Sequence, residues 1–188
     1  YNITSSIEPY TVEVTRCSSY DNYSGLTTAT IPNAVTYNGT TYSVINIGGG
    51  AFSNCSSLTS VIIPHTVTKI GAEAFSNCIS LSSLNLNNEL KEIKEHAFAN
   101  CVSLENVSLT ENVQTIGDYA FSGCVNLKNI EFNSKSFTFS VLFFLFFKLS
   151  YLFIQKSLIL LYCSTDFSLT SFVFSTTVVE KTLTLSIV

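Results

Sequence analysis

The sequence predicts a repeat solenoid, in which coils of 23 residues made mainly of short β-strands and short helical turns stack on one another. Two observations predict this fold class. The motif Ala-Phe-x-x-Cys occurs four times, and each copy follows the last by 23 residues without slippage. A leucine lies three residues after the cysteine of each copy, and apolar residues recur at the same later positions. One such coil cannot bury its apolar side alone, whereas stacked neighbours can.

Each part of the coil has its own periodicity. The Leu-x-x-Val-x-Ile stretch ends in alternation of period two, which is typical of a short strand with one buried face. The later Val-x-x-Ile-Gly stretch predicts a second short extended piece, and Ala-Phe-x-x-Cys predicts a tight helical or 3₁₀-like turn. Adjacent coils should lie about 4.8 Å apart along the strand ladder. We therefore expect an internal spine of stacked rings from Phe52, Phe75, Phe98 and Phe121.

One coil departs from the pattern at two columns. Lys94 occupies a column that is glycine in the other copies, and Asn87 stands where Pro64 stands one coil earlier. If the glycine column required a positive φ, Lys94 would be strained by roughly 1 kcal/mol or more. We therefore expect this column to adopt an ordinary φ, with glycine only preferred there.

The N-terminal part, residues 1–48, is predicted to form a cap and one longer coil that precede the regular repeats. Residues 31–48 form one longer coil, and within it Asn38-Gly39, flanked by alternating β-formers, is typical of a type I′ hairpin. Alternation over residues 10–14 indicates a β-rich N-terminal cap, which the first coil needs because its core edge would otherwise be exposed. The predicted division is a cap over residues 1–30, a solenoid over residues 31–135 and a hydrophobic tail without repeats over residues 136–188.

The tail has a different composition, and three interpretations of it stay open. It contains no Gly, Pro, Asn or Ala and holds ten of the fifteen phenylalanines. A membrane span over residues 141–163 is long enough to cross the hydrocarbon, but Lys148 and Lys156 near its centre make insertion energetically marginal. Alternatively the tail is frame-shifted or degenerate sequence, since Phe, Leu, Ile and Lys are typical of an A/T-rich gene read in a shifted frame. The third interpretation is a β-rich cap over the last coil.

The combined columns Ile-Gly-x-x-Ala-Phe-x-x-Cys-x-x-Leu-x-x-Val-x-Ile-Pro resemble the BspA-like class of leucine-rich repeats, over about residues 30–133. The segment from Ile31-Pro32 to Ile47-Gly48 resembles the usual lead-in of that family. The resemblance implies a surface or secreted protein of a bacterium or parasitic protist. It also implies adhesion to host matrix proteins or to other cells, and surface antigenicity. It implies no catalytic residues, so none are carried over to this chain.

Composition and motifs argue against two other function classes. The net charge is −4 and Arg16 is the single arginine, so no basic stripe exists that could neutralise a phosphate backbone, and nucleic acid is not an expected partner. The sequence contains no nucleophile elbow, zinc-protease, P-loop or dinucleotide-binding motif. Gly48-Gly49-Gly50 precedes a repeat motif and is interpreted as an ordinary coil turn. We expect no enzyme activity, no catalytic residue and no cofactor.

The cysteines and histidines do not form a metal site in this pattern. Four of the six cysteines occupy one repeat column with parallel Cβ directions, which disfavours disulfides and predicts a buried ladder of free thiols. A zinc site needs converging ligands, which a column of this kind does not supply. His65 and His96 fall in different columns and are interpreted as surface or turn histidines. No partner can be read for Cys17 or Cys163, which lie outside the ladder.

A ligand-binding face is predicted on the outer side of the first strand of each coil. The residues that flank the central apolar residue of Leu-x-x-Val-x-Ile point outward, and in stacked coils they form two columns. The face is polar, nearly uncharged and poor in the aromatic anchors that binding hot spots prefer; the alternative is a merely solvated solenoid face. The predicted residues are Ser60, Ile62, Ser83, Asn85, Asn106, Ser108, Asn129 and Glu131.

Three function hypotheses follow. The first is a non-enzymatic cell-surface or secreted adhesion module that binds host extracellular-matrix proteins, cell-surface proteins or glycans. The second is a structural or antigenic surface repeat without a dedicated ligand, and the third is a truncated nonfunctional copy from a large repeat family. The chain begins at Tyr1, has no methionine and shows no signal-peptide pattern. A fragment or processed product is therefore expected, and the surface location follows from the resemblance alone.

Overall fold

The computed structural model describes residues 1–16, 25–110, 112–133 and 182–186. These residues form short β-strands joined by turns, and the described ranges contain no helix. The strands are β1 (Asn2–Ser5), β2 (Thr11–Val14), β3 (Thr28–Thr30), β4 (Ala34–Tyr37), β5 (Thr40–Ile47), β6 (Ser60–Ile62), β7 (Lys69–Ile70), β8 (Ser83–Asn85), β9 (Glu92–Ile93), β10 (Asn106–Leu109), β11 (Thr115–Ile116), β12 (Asn129–Asn133) and β13 (Thr182–Ser186).

Each coil contributes one strand to each of two walls. The first wall, here called the long sheet, has the order β1-β2-β5-β7-β9-β11, with β4 paired to β5. The second wall consists of two shorter sheets, here called the ladder sheets, with the orders β3-β6-β8 and β10-β12-β13. Pairing between successive coils is parallel, and it places Ser60 opposite Ser83 and Asn106 opposite Asn129. The 23-residue period of the sequence is therefore the step from one coil to the next.

The phenylalanine column forms the spine of the core, as predicted. Successive rings are nearly parallel, with interplanar angles of 3°, 1° and 6°. Their centroids are 5.1, 5.2 and 5.3 Å apart, close to the spacing of the strands. The leucine and cysteine columns are buried beside these rings. Burial of each ring contributes on the order of 2 kcal/mol to folding, so the spine is a major part of the stability of the solenoid.

The Ala-Phe-x-x-Cys motif is a tight turn of the 3₁₀-like kind. The Cys55 amide donates to the Phe52 carbonyl at 3.1 Å, and the Leu58 amide donates to the Cys55 carbonyl at 3.0 Å. Asn54, inside this run of hydrogen bonds, has a φ of 65°, so the run is a series of turns and not a regular helix. The turns also pair from coil to coil, since the Phe52 amide donates to the Ala74 carbonyl at 2.7 Å. The turn edge is thus held to its neighbours by backbone hydrogen bonds, as the strands are.

The hairpin and the N-terminal strands extend the two walls. Asn38 and Gly39 both have positive φ, at 48° and 77°, between the antiparallel strands β4 and β5, which confirms the type I′ prediction. Thr28 pairs with Ser60, 32 residues later, because the hairpin is inserted in this longer coil. Strand β2 pairs with β5 in parallel, and β1 pairs with β2 in the antiparallel sense. The long sheet therefore begins with two N-terminal strands that precede the repeats.

The structure shows why glycine is preferred in the column that holds Lys94, and it explains Asn87. The glycine column, Lys94 included, has no positive φ, as predicted. Glycine is preferred for a different reason: a Cβ on Gly71 would lie 2.6 Å from the Gly49 nitrogen of the preceding coil. The Asn87 amide group donates to the carbonyls of Pro64 at 2.8 Å and Val67 at 3.0 Å. Where the preceding coil has a proline, this coil therefore has an asparagine whose side chain is hydrogen-bonded to the backbone of the preceding coil.

Of the tail, the structure describes Thr182–Ser186 alone. This strand, β13, pairs with β12 in the antiparallel sense, so that Asn129 lies opposite Ser186. It runs along the edge of the last described coil, where the cap interpretation would place it. The predicted span over residues 141–163 lies outside the described residues, and no helix within them is long and apolar enough to cross a membrane. The origin and role of the rest of the tail stay a prediction.

Candidate ligand-binding faces

The eight predicted ligand-binding residues lie in register on the ladder sheets. Two come from each of β6, β8, β10 and β12, and the apolar residue between each pair is buried. Ser60 pairs with Ser83 and Ile62 with Asn85 in one sheet, while Asn106 pairs with Asn129 and Ser108 with Glu131 in the other. Five of the side chains are exposed, and those of Ser60 and Asn129 are half-buried. The geometry of the face agrees with the sequence pattern, and its role in binding stays a prediction.

The two halves of this ladder face differ in chemistry. Strands β8 and β10 are neighbours in the stack but belong to different sheets, so the strand ladder is interrupted there. On the C-terminal half, the Asn129 amide donates to Asn106 Oδ1 at 2.8 Å, and Lys128 forms an ion pair with Glu105 at 3.0 Å. The N-terminal half presents the hydroxyls of Ser60 and Ser83, the Asn85 amide and the exposed Ile62, which is 60 % accessible. A ligand would meet an ion pair at the C-terminal end and an uncharged surface at the other.

The long sheet carries a charged row that the sequence analysis missed. Glu92 pairs with Lys69 Nζ through Oε2 at 3.3 Å and with Lys94 Nζ through Oε1 at 2.6 Å. The hydrogen bond from Lys94 is the main reason that the pKa of the Glu92 carboxyl is below its usual value; burial opposes it and Lys69 assists. The same bond raises the pKa of Lys94. The row, in register across the sheet, is Glu13, Asn46, Lys69, Glu92 and Thr115.

A shallow groove of about 330 Å³ lies beside this charged row. Its floor is the backbone of Gly48, Gly49 and Gly71, which approach closely because they have no side chains. Gly48 and Gly49 belong to the run Gly48-Gly49-Gly50, which the sequence pattern indicates as a coil turn, and they also line this surface depression. The signal available in the sequence for the charged row was the opposite charge of Lys69 and Glu92, which directly precede the isoleucine in two successive coils. The charged side chains at its walls are Glu13, Lys69, Lys94 and Glu95.

The turn edge carries two columns with positive φ. The first, directly before each Ala-Phe pair, is Gly50, Glu73, His96 and Tyr119, and the second is Asn54, Asn77, Asn100 and Gly123. In the second column the Asn77 amide donates to Asn54 Oδ1 at 3.0 Å, and the Asn100 amide donates to Asn77 Oδ1 at 2.9 Å. In the first column the rings of His96 and Tyr119 stack, with centroids 5.2 Å apart and an interplanar angle of 11°. The first column changes residue type at every coil, whereas the second is asparagine in three coils of four, and the backbone repeats in both.

The cysteine column is a ladder of free, buried thiols, as predicted for its four members. The Cys78 thiol donates to the Phe52 carbonyl at 3.1 Å, and Cys101 donates to the Phe75 carbonyl at 3.3 Å. Burial raises the pKa of Cys78 to about 12, and the pKa of Cys101 is also raised, chiefly by the neighbouring thiol of Cys124. Thiols with raised pKa values are poor nucleophiles. The described residues include no group of three or more His, Cys, Asp or Glu side chains that could hold a metal ion.

Comparison with protein families and known structures supports the repeat assignment. The model of the BspA type leucine rich repeat region matches residues 45–170 with six copies. This match extends past residue 133, where the repeat columns are no longer recognisable in the sequence. No curated protein sequence matches the chain.

Three solved structures illustrate the likeness. A leucine-rich repeat protein from Bacteroides capillosus is 34 % identical, with a TM-score of 0.56 over 65 % of this chain and 86 % of its own. One from Bacteroides ovatus is 31 % identical, with a TM-score of 0.51 over 69 % of this chain and 39 % of its own. A leucine rich cell surface protein from Faecalibacterium prausnitzii is 27 % identical, with a TM-score of 0.52 over 65 % of this chain and 38 % of its own. The predicted solenoid of parallel strand ladders is confirmed.

Proposed function

The chain belongs to the BspA type leucine-rich repeat family, and we propose that it is a non-enzymatic adhesion module that acts at the cell surface or after secretion. Two findings support this proposal. The repeat match covers most of the chain, and such repeats are built to present extended contact surfaces. One structural neighbour is named a leucine rich cell surface protein. The proposed partners are host extracellular-matrix proteins, cell-surface proteins or glycans.

The ladder face is the proposed contact surface, and one observation carries that choice. Its side chains alternate with buried residues on the same strands, as Asn106 and Ser108 alternate with the buried Val107 and Leu109. The inward residues hold each strand in the core, so the outward residues can serve recognition without a structural role of their own. The backbone beneath them is fixed by parallel pairing, which reduces the conformational entropy that a ligand must restrict on binding.

The chemistry of the face favours a partner that offers many hydrogen bonds. Amide and hydroxyl groups predominate on it, and Lys128 and Glu105 neutralise each other at its edge. Each good hydrogen bond across an interface adds on the order of 1 kcal/mol, so useful affinity requires several coils to bind at once. An extended polypeptide or an oligosaccharide that spans neighbouring coils fits this requirement.

The proposal is tested with the double variant Asn85→Ala and Asn106→Ala, measured on an array of immobilised extracellular-matrix proteins and glycans. The loss of two amide side chains at the middle of the face should weaken capture roughly tenfold or more. The matched control is Asn33→Ala with Asn88→Ala, two exposed asparagines outside the strands. Unchanged capture by the first variant, with circular dichroism like that of the wild type, would rule out the ladder face. Absence of capture by the wild type would instead favour a repeat without a dedicated ligand.

A further inference from the structure

The turn edge keeps bulky side chains at positions where the backbone favours glycine. Gly50, Glu73, His96 and Tyr119 occupy one column and have φ values of 63°, 56°, 54° and 58°. Side chains other than glycine are rare in this region, and bulky ones are unusual. Gly50 shows that the coil accepts glycine here. The imidazole and phenol are therefore not required by the turn.

The two aromatic residues of this column form a stacked pair, in which His96 is half-buried and Tyr119 is exposed. The rings of His96 and Tyr119 are 5.2 Å apart and nearly parallel, and Tyr119 is 50 % accessible. Tyrosine is among the residues that contribute most to protein interfaces, because its ring offers a large contact area with little conformational freedom to lose. The ladder face has no aromatic residue among its eight predicted positions. The turn edge supplies the aromatic surface that the ladder face lacks.

Carboxylates outnumber cations around this pair; Lys94, in the next column, lies near Glu95 but forms its ion pair with Glu92. Glu73, Glu95 and Asp118 are exposed in the same column or the adjoining one. Backbone hydrogen bonds tie the neighbouring coils together there, from the Glu73 amide to the Glu95 carbonyl at 3.1 Å and from the His96 amide to the Asp118 carbonyl at 3.0 Å. These two columns contain no lysine or arginine in any of the four coils. Charge complementarity therefore favours a cationic ligand.

We propose that the surface formed by Glu73, Glu95, His96, Asp118 and Tyr119, here called the aromatic edge, docks an exposed segment of a partner protein that carries arginine or lysine. A guanidinium or ammonium group would lie over the Tyr119 ring as a cation–π contact. The carboxylates beside the ring would pair with the same group or with its neighbours in the partner segment. This surface lies apart from the ladder face, so the proposal goes beyond the function proposed above.

The first test measures binding of a fluorescent nine-arginine peptide to the full chain by fluorescence anisotropy. Tyr119→Ala should raise the Kd roughly fivefold or more, because the cation–π contact is lost. The matched control is Tyr37→Ala, which removes an equally exposed tyrosine, 61 % accessible, from the hairpin. Its Kd should equal that of the wild type. Equal weakening in both variants, or none in Tyr119→Ala, would overturn the proposal.

Two variants that each remove one carboxylate distinguish binding at a local site from general attraction of the peptide to an acidic protein. Glu95→Gln removes a carboxylate from the aromatic edge, and Glu89→Gln removes one exposed carboxylate elsewhere. The first should weaken binding severalfold, and the second should leave it within about twofold of the wild type, since separated surface charges are screened at physiological salt. If both variants weaken binding to the same extent, the peptide responds to net charge alone and the site does not exist.

Tyr119→Gly tests whether binding is lost because the ring is absent or because the variant unfolds. Glycine relieves the positive φ of residue 119, so the variant should unfold at or above the temperature of the wild type and yet bind the peptide as weakly as Tyr119→Ala. Retained peptide affinity in Tyr119→Gly would overturn the proposal. Capture on the matrix array should be unchanged in this variant, so failure of the aromatic edge and failure of the ladder face give different results.

Discussion

The inward and outward columns of the coils differ in how freely their residues vary. The phenylalanine, cysteine and leucine columns hold one residue type in all four coils and are buried. The outward column of the ladder sheets changes at every step, through Ile62, Asn85, Ser108 and Glu131. An inward side chain must fill the same space between two similar coils, so close packing restricts its type. An outward side chain meets water, so its variation costs little stability and leaves room for recognition.

The largest expected effect is a break in the inward spine. Phe98 is fully buried and stacks on Phe75 and Phe121. Phe98→Ala should lower the free energy of unfolding by about 3–5 kcal/mol, because it removes burial and leaves a cavity that neighbouring coils cannot fill. Urea denaturation followed by circular dichroism measures this loss. The outward control, Ile62→Ala, should stay within about 0.5 kcal/mol of the wild type; similar losses in the two variants would contradict the comparison.

Asn87 is half-buried and is therefore intermediate between the inward and the outward columns. Its side chain donates to the carbonyls of Pro64 and Val67 and accepts from the Glu89 amide at 2.7 Å. Asn87→Ala should lower the free energy of unfolding by about 1–3 kcal/mol, since it leaves half-buried backbone groups without these partners. Asn88→Ala, at the exposed neighbouring position, is the control for the same denaturation experiment and should have little effect. If the two variants were equally stable, the hydrogen bonds between coils would not explain the asparagine.

The inward columns were predictable from the sequence, whereas the outward contacts were not. Buried residues repeat because packing restricts them, so the period alone predicts that Phe75 lies above Phe52, and Asn-Gly alone predicts the hairpin. The ion pairs of Glu92 depend on the reach of two flexible lysine side chains from different columns. The stack of His96 on Tyr119 depends on a positive φ in a column whose residue types never repeat. The sequence pattern therefore predicts His96 only as a surface or turn histidine; it predicts the second extended piece of each coil but not the charged row that the long sheet carries.

Because its thiols are buried, the cysteine column should make the free energy of unfolding depend on pH in the alkaline range. The pKa of Cys78 is raised from 9.0 to about 12 by burial, so the folded state holds a proton that the unfolded state releases above pH 9. The contribution of this thiol to stability should therefore be constant below that pH and fall as the pH rises toward 12. Between pH 7 and pH 10 this thiol should lower the free energy of unfolding by about 1 kcal/mol.

Cys78→Ala supplies the comparison for this pH dependence. Alanine cannot ionise, so the variant should be less stable than the wild type at pH 7 but lose less stability between pH 7 and pH 10, measured by urea denaturation at each pH. The exposed-residue variant Ser83→Ala should follow the wild-type slope, because it removes no titrating group. Parallel slopes for the wild type and Cys78→Ala would show that the buried thiol does not resist ionisation.

The smallest expected effect lies on the outward side of the long sheet. Hydrogen bonds from Lys94 and Lys69 lower the pKa of the Glu92 carboxyl below its ordinary value of 4.5. The folded state therefore releases this proton more readily than the unfolded state, so the stabilisation is present above pH 4.5 and is lost as the pH falls through the folded pKa.

Glu92→Gln should lower the thermal midpoint slightly at pH 7 and in low salt. The difference should shrink in acid and in high salt, because exposed ion pairs are weak and screened. Glu105→Gln, which breaks the more exposed pair with Lys128, should have a still smaller effect. If the thermal midpoints of Glu92→Gln and the wild type still differed in strong acid, the Glu92 side chain would act through packing. The charged row would then be restricted by packing, as the inward columns are.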